Sequence, residues 1–205
     1  MNVLILVDIQ NDFLPGGALA VPEGDRIIPL VNSLSTKFNR IVATRDWHPA
    51  DHGSFAASHP GKSPGEKTDL NGLEQVLWPV HCVQQTKGAE FSDQLKVSGI
   101  EKVFVKGTDK NIDSYSGFYD NGHRKSTGLA EYLRLTGTDE VTIVGLATDY
   151  CVKFTALDAV KEGFRTTVIE DATRAVNLQE NDFEKSIGEM KAAGVNIISS
   201  GKILS

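Results

Sequence analysis

The chain of 205 residues predicts an α/β protein of three layers, a mainly parallel six-stranded sheet with helices on both faces. Three observations carry that expectation. Apolar runs of strand length alternate with longer amphipathic stretches. The runs are apolar throughout, as strands buried on both faces are. The chemically capable residues sit just past the ends of those runs, where open parallel sheets keep their sites.

The first strand is Val3–Asp8, VLILVD. It is short, lacks a basic leader and ends on an acid, so it reads as buried structure and not as a signal peptide. Arg26–Ser35 follows with Ile27, Ile28, Leu30, Val31 and Leu34 at helical spacing. Arg40–Thr44 is the second strand and Lys102–Lys106 the third. Between them, residues 46–89 break the alternation with His, Pro, Gly and Ser, a long loop of the kind that is usually functional. Val141–Val144 is the fourth strand, leading through Gly145–Asp149 into a helix from about Tyr150 to Glu162. Arg165–Glu170 is the fifth strand. Phe183, Ile187 and Met190 mark a further helix, and Asn196–Ser199 the sixth strand. This length suits one well-cored domain spanning 1–205.

A net charge of −6 with no clustered Lys or Arg excludes a general nucleic-acid binder, and no stretch approaches a membrane span. Cys82 and Cys151 are too few for a disulfide framework, so both are expected as free thiols in a cytoplasmic protein.

The strand ends then become informative together. Asp8 closes the first, Asp46–Trp47–His48 follows the second, Lys106 closes the third, and Cys151 follows the fourth. Cys151 at a helix start, with Lys106 nearby, would favour the thiolate. Asp8 could accept the thiol proton and later return it to a leaving amine. Asp46 and His48, two apart, point the same way in an extended segment, and His81 is the best third ligand. One carboxylate and two imidazoles suit one divalent ion, zinc foremost, with iron or manganese fitting the same donors. Three of the five histidines, His48, His52 and His59, fall within twelve residues, so His52 and His59 could add to the shell.

The segments VDIQNDFLPGGAL (7–19), TRDWHPADHGSF (44–55), LWPVHCVQQTKGAEF (77–91), VKGTD and DSYSGF (105–118) and VGLATDYCVKFTALDA (144–159) resemble the nicotinamidase branch of the isochorismatase-like cysteine hydrolases, in order along the chain. The resemblance implies a catalytic triad of Asp8, Lys106 and Cys151, and metal ligands Asp46, His48 and His81, with His52 a ligand in some members. It implies a cis peptide between Leu146 and Ala147 that turns the Ala147 N–H, with that of Cys151, towards the oxyanion. Phe13, Leu19, Trp78 and Tyr115 match the family's pocket. The implied activity is hydrolysis of nicotinamide, and of pyrazinamide, to the acid and ammonia through a Cys151 thioester, in NAD salvage. The small amide is then the expected partner, with no nucleic acid or membrane, and the protein a monomer or small homo-oligomer. Cys151 argues against vinyl-ether hydrolysis, and D-W-H with W-P-V-H-C against the carbamoyl amidases.

Overall fold

A computed structural model describes residues 1–205. Its strands are β1 (Asn2–Val7), β2 (Ile41–Asp46), β3 (Lys67–Leu70), β4 (Leu73–Val76), β5 (Ile100–Lys106), β6 (Glu140–Leu146), β7 (Arg165–Arg174) and β8 (Asn196–Ile198). Its α-helices are α1 (Ile28–Ser35), α2 (Leu129–Leu135), α3 (Lys153–Lys161), α4 (Asp182–Ala192) and α5 (Gly201–Leu204). No helix is long and apolar enough to cross a membrane.

Six strands form one sheet in the order β5-β2-β1-β6-β7-β8, every neighbouring pair parallel. The pleat of β1 explains why its whole run is apolar. Val3, Ile5 and Val7 point into one core, with Leu129 and Leu133 of α2, Ala156 and Ala159 of α3, and Ile187 and Met190 of α4. Leu4 and Leu6 point into the other, with Ile28, Val31 and Leu34 of α1. Each of these larger aliphatic side chains contributes about 1.5–3 kcal/mol by leaving water. The three layers and six strands are those expected.

The chain starts in the middle of the sheet, at β1, and winds outward first one way and then the other. β1 and β6 are therefore neighbours whose connections leave in opposite directions, and the crevice beyond their carboxyl ends is a topological switch point. Asp8 follows β1, and the Cys151 turn follows β6.

Four elements lie outside the sequence expectation, the strands β3 and β4 and the helices α2 and α5. The 46–89 segment contains an antiparallel hairpin, β3–β4, turning at Asn71 and Gly72, both left-handed at φ 56° and 83°. Helix α2 was not anticipated; it is only seven residues long, and its Leu135 is 87% exposed, which blurs the amphipathic stripe.

Candidate active site

The site is assembled by strand register. Asp46 and Lys106 are paired neighbours at the ends of β2 and β5, and Thr44 sits beside Val7, next to Asp8. Gln10 then ties the first loop to β2: its Nε2 donates to the Asp46 carbonyl at 2.8 Å and the Ala89 carbonyl at 2.9 Å, while its Oε1 accepts from the Asp46 N–H at 2.8 Å. Asp8 is left-handed at φ 48° and fully buried, with the Thr44 hydroxyl donating to its Oδ1 at 2.6 Å.

Lys106 is 2% exposed and is the hub of the site. Its ammonium donates to Asp46 Oδ1, to the Ser114 carbonyl at 3.0 Å and to Cys151 Sγ at 3.3 Å, and it lies 2.8 Å from Asp8 Oδ2. Burial alone would lower its pKa, but Asp46 and Asp8 outweigh that and hold it well above the usual lysine value. Asp46 goes the other way: burial would raise it, yet Lys106 and the two imidazoles keep it below the normal carboxylate range.

Cys151 stands in a single wide turn, Thr148–Val152, from which α3 continues, so the regular helix begins about three residues later than the sequence implied. The expectation of a net-lowered thiol pKa is overturned. Burial pushes the Cys151 thiol well above its ordinary value; Lys106 opposes this, but Asp8 and Asp46 add to the rise. The shift favours a protonated resting thiol, with the Asp8 carboxylate within 4.8 Å of its sulfur. Asp8 is itself raised, by burial first, against the pull of Lys106 and with Asp46 adding to the rise. A buried carboxylate with a raised pKa beside a protonated thiol is a matched acceptor for that proton. The Leu146–Ala147 peptide is cis, as expected, and the Ala147 N–H donates to no protein acceptor.

The second cluster joins the first through Asp46. Its Oδ1 faces Lys106, and its Oδ2 lies 3.7 Å from His48 Nε2 and 3.8 Å from His81 Nε2. His48 reaches this place because its segment bridges to Val83, with its N–H bonded to the Cys82 carbonyl at 3.0 Å. Each ring donates Nδ1–H to a backbone carbonyl, His48 to Gly107 and His81 to Pro79, both at 2.8 Å, leaving both Nε2 atoms facing the carboxylate. Those carbonyls fix tautomer and orientation as outer partners of metal-bound histidines do. Burial and the neighbouring His48 lower His81 to about 4, so it is a neutral imidazole. The donor set fits a divalent metal ion.

His52 is beside this set and not in it. Its Nδ1 lies 3.1 Å from the Ser54 N–H and 2.7 Å from the Ser54 hydroxyl, and its buried Nε2 has no protein partner. It groups instead with His48 and Asp113. His59 is removed from the shell by a 2.7 Å bond between its Nε2 and the Gly53 carbonyl.

A small cleft opens onto both clusters. Phe13, Leu19, Trp78 and Tyr115 line it, as expected, together with Cys151, Ala147, Asp46 and His81. The Tyr115 hydroxyl is held by Trp78 Nε1 at 3.2 Å and Gln75 Nε2 at 3.0 Å, which fixes the aromatic wall. Three lining residues were missed: Asp113, Tyr150 and Val176. The first two lie inside segments already singled out, DSYSGF and TDYC, and could have been taken with them. Val176 lies in none. A wider polar groove along residues 170–184 contains none of the strand-end groups.

This combination of a Cys-Lys-Asp cluster and a two-histidine carboxylate set can be compared with known proteins. The isochorismatase domain matches residues 2–202. The chain belongs to the isochorismatase family. It is 48% identical to the nicotinamidase of Escherichia coli (strain K12), covering 96% of this chain and 93% of that one. Among solved structures it is similar to an Acinetobacter baumanii nicotinamidase pyrazinamidease, with a TM-score of 0.96, 48% identity and coverage of 99% and 98%. It is also similar to a Pyrococcus horikoshii pyrazinamidase in complex with zinc, with a TM-score of 0.78, 42% identity and coverage of 97% and 98%.

Proposed function

We propose that this family member, acting as one hydrolase domain over residues 1–205, hydrolyses nicotinamide to nicotinate and ammonia, and pyrazinamide likewise. The observation that carries this reading is the contact of one buried lysine with both an acid and a thiol on the wall of a small aromatic cleft. The full-length similarity to nicotinamidases supplies the substrate.

Asp8 takes the Cys151 proton as the sulfur attacks the amide carbon. Lys106, fixed at 3.3 Å from Sγ, balances the negative charge that forms on the sulfur. The Ala147 and Cys151 N–H groups receive the oxyanion. Asp8 returns the proton to the departing nitrogen, ammonia leaves, and a Cys151 thioester remains. Asp8 then takes a proton from water, whose oxygen attacks the thioester carbon; the acid leaves and Cys151 regains its proton. Asp46, His48 and His81 hold the metal ion, which we assign as zinc, with iron or manganese suiting the same donors. When bound, the ion supplies a Lewis-acid contact for the ring nitrogen. Phe13, Trp78 and Tyr115 pack against the ring, and Leu19 closes it from water.

The reading is tested by incubating the reduced, metal-loaded protein with nicotinamide and measuring both products. Stoichiometric ammonia and nicotinate support it. Turnover confined to carbamoyl or ureido compounds would move the substrate to another branch of the family.

A further inference from the structure

The wall that carries Val176 lies outside the segments that resemble the family, yet it is built onto the nucleophile's own turn. Late in β7 the register shifts, so that Thr173 and Arg174 pair with Gly145 and Leu146 of β6. The chain therefore leaves the sheet beside Ala147 and passes along the cleft. Two ties hold it there. The Thr148 hydroxyl donates to Thr173 Oγ1 at 2.9 Å. Asp149, two residues before Cys151, accepts from two consecutive backbone N–H groups, Val176 to Oδ1 at 3.0 Å and Asn177 to Oδ2 at 2.8 Å. Asn177 is left-handed at φ 53°, which lets both N–H groups converge on one carboxylate.

Asp149 is 4% exposed and makes no salt bridge, so these N–H groups are its main compensation for burial. Charge-assisted bonds of this kind are about twice as strong as neutral ones and are directional. A buried carboxylate on the nucleophile's turn thus spends both oxygens on the residue that lines the cleft and its neighbour. The effect is to fix the Val176 side chain relative to Cys151 Sγ, independently of the exposed chain beyond it, where Leu178 is 42% exposed.

We propose that Val176 sets the size of the ring accepted beside Cys151, and that Asp149 is the positioning residue that holds Val176 in place. The inference rests on reading the cleft as an amide-hydrolase site.

Val176→Ala, Asp149→Asn and the double variant test it, each assayed with nicotinamide and its four ring-methylated isomers. In Val176→Ala, kcat/KM for at least one methyl isomer relative to nicotinamide should rise about tenfold, the usual worth of one methyl group's space in an apolar pocket. Asp149→Asn should favour the same isomer and raise KM for nicotinamide more than it lowers kcat. The double variant should gain no more than Val176→Ala alone, because both changes act through one wall. If Asp149→Asn does not fold, Asp149→Glu, which displaces the same wall, is expected to shift selectivity in the same direction.

A second readout does not depend on the substrate. The ratio of Cys151 alkylation by N-benzylmaleimide to that by iodoacetamide, located by peptide mass spectrometry, should rise in both single variants. Unchanged isomer and alkylation ratios in Val176→Ala would overturn the role of Val176. Lower stability in Asp149→Asn and Asp149→Glu with unmoved ratios would reduce Asp149 to a structural tie. If the wild-type protein ignores nicotinamide, the amide reading fails, while the alkylation ratio still decides this one.

Discussion

Thr44→Val isolates the environment of the proposed base. The Thr44 hydroxyl donates to Asp8 Oδ1 at 2.6 Å, both residues are fully buried, and valine keeps the volume while removing the donor. A hydrogen bond to a charged group is worth about 1.5–3 kcal/mol. It stabilises only the ionised carboxylate, and one pKa unit corresponds to about 1.4 kcal/mol, so losing it should raise the Asp8 pKa by about 1–2 units. Asp8 is already raised, chiefly by burial and against the pull of Lys106, so the change adds to an existing shift. The reaction needs the ionised acid, and a higher pKa means that protonation removes it at a higher pH. The acid limb of kcat/KM for nicotinamide should therefore move up by about 1–2 pH units, while Thr44→Ser, which keeps a hydroxyl, leaves it in place. An acid limb in Thr44→Val that coincides with the wild type would refute Asp8 as the titrating base.

Other changes probe the same cluster. Lys106→Met strands Asp8 and Asp46 as buried charges and should cost about 3–5 kcal/mol in urea unfolding, besides losing activity; a loss under 1 kcal/mol, by the same reasoning, would mean that the acids are not charged there. Asp8→Asn should abolish turnover yet leave thermal stability at pH 7 equal or higher. A carboxyl with a raised folded pKa stabilises the fold below its unfolded pKa and loses that contribution as the pH rises, so the ionised form is a burden at neutrality. A clear drop in melting temperature would show instead that its pairing with Lys106 dominates. Gly107→Ala would place a methyl against the His48 ring, at a left-handed φ of 62°, and should weaken metal affinity about 10–100-fold by displacing a ligand from its carbonyl partner. Unchanged affinity by titration calorimetry would remove His48 from the ligand set.

Much of the fold was legible because parallel strands buried on both faces must be apolar, and the runs at Val3, Val42 and Val141 are; the edge strand β5 is apolar at Val103 and Val105 although both are exposed. Their ends were legible too, since a sheet that is apolar along its length displays Asp8, Asp46, Lys106 and Cys151 by contrast. The β3–β4 hairpin had a readable signal, an Asn-Gly pair at 71–72 between alternating segments, that the surrounding polar loop obscured. Helix α2 begins after Gly128, an N-cap residue with no side chain, and is too short to establish a period. The Cys151 pKa was misjudged for a different reason. A sequence displays the charge of Lys106 and the helix start, but not the complete burial that outweighs them. The spacing of the histidines likewise did not display that His52 falls beside the Asp46, His48 and His81 set, grouped with His48 and Asp113. Val176 was beyond reach because only the register shift in β7 brings it to the cleft.

The central claim is that Cys151 is the nucleophile for an amide held in this cleft. Its most direct test is ammonia release from nicotinamide by Cys151→Ala and Cys82→Ala, each shown to be folded and metal-loaded. The structure predicts a fall of at least about 10³-fold for Cys151→Ala and turnover by Cys82→Ala that stays of wild-type order. Substantial turnover by Cys151→Ala would contradict the account.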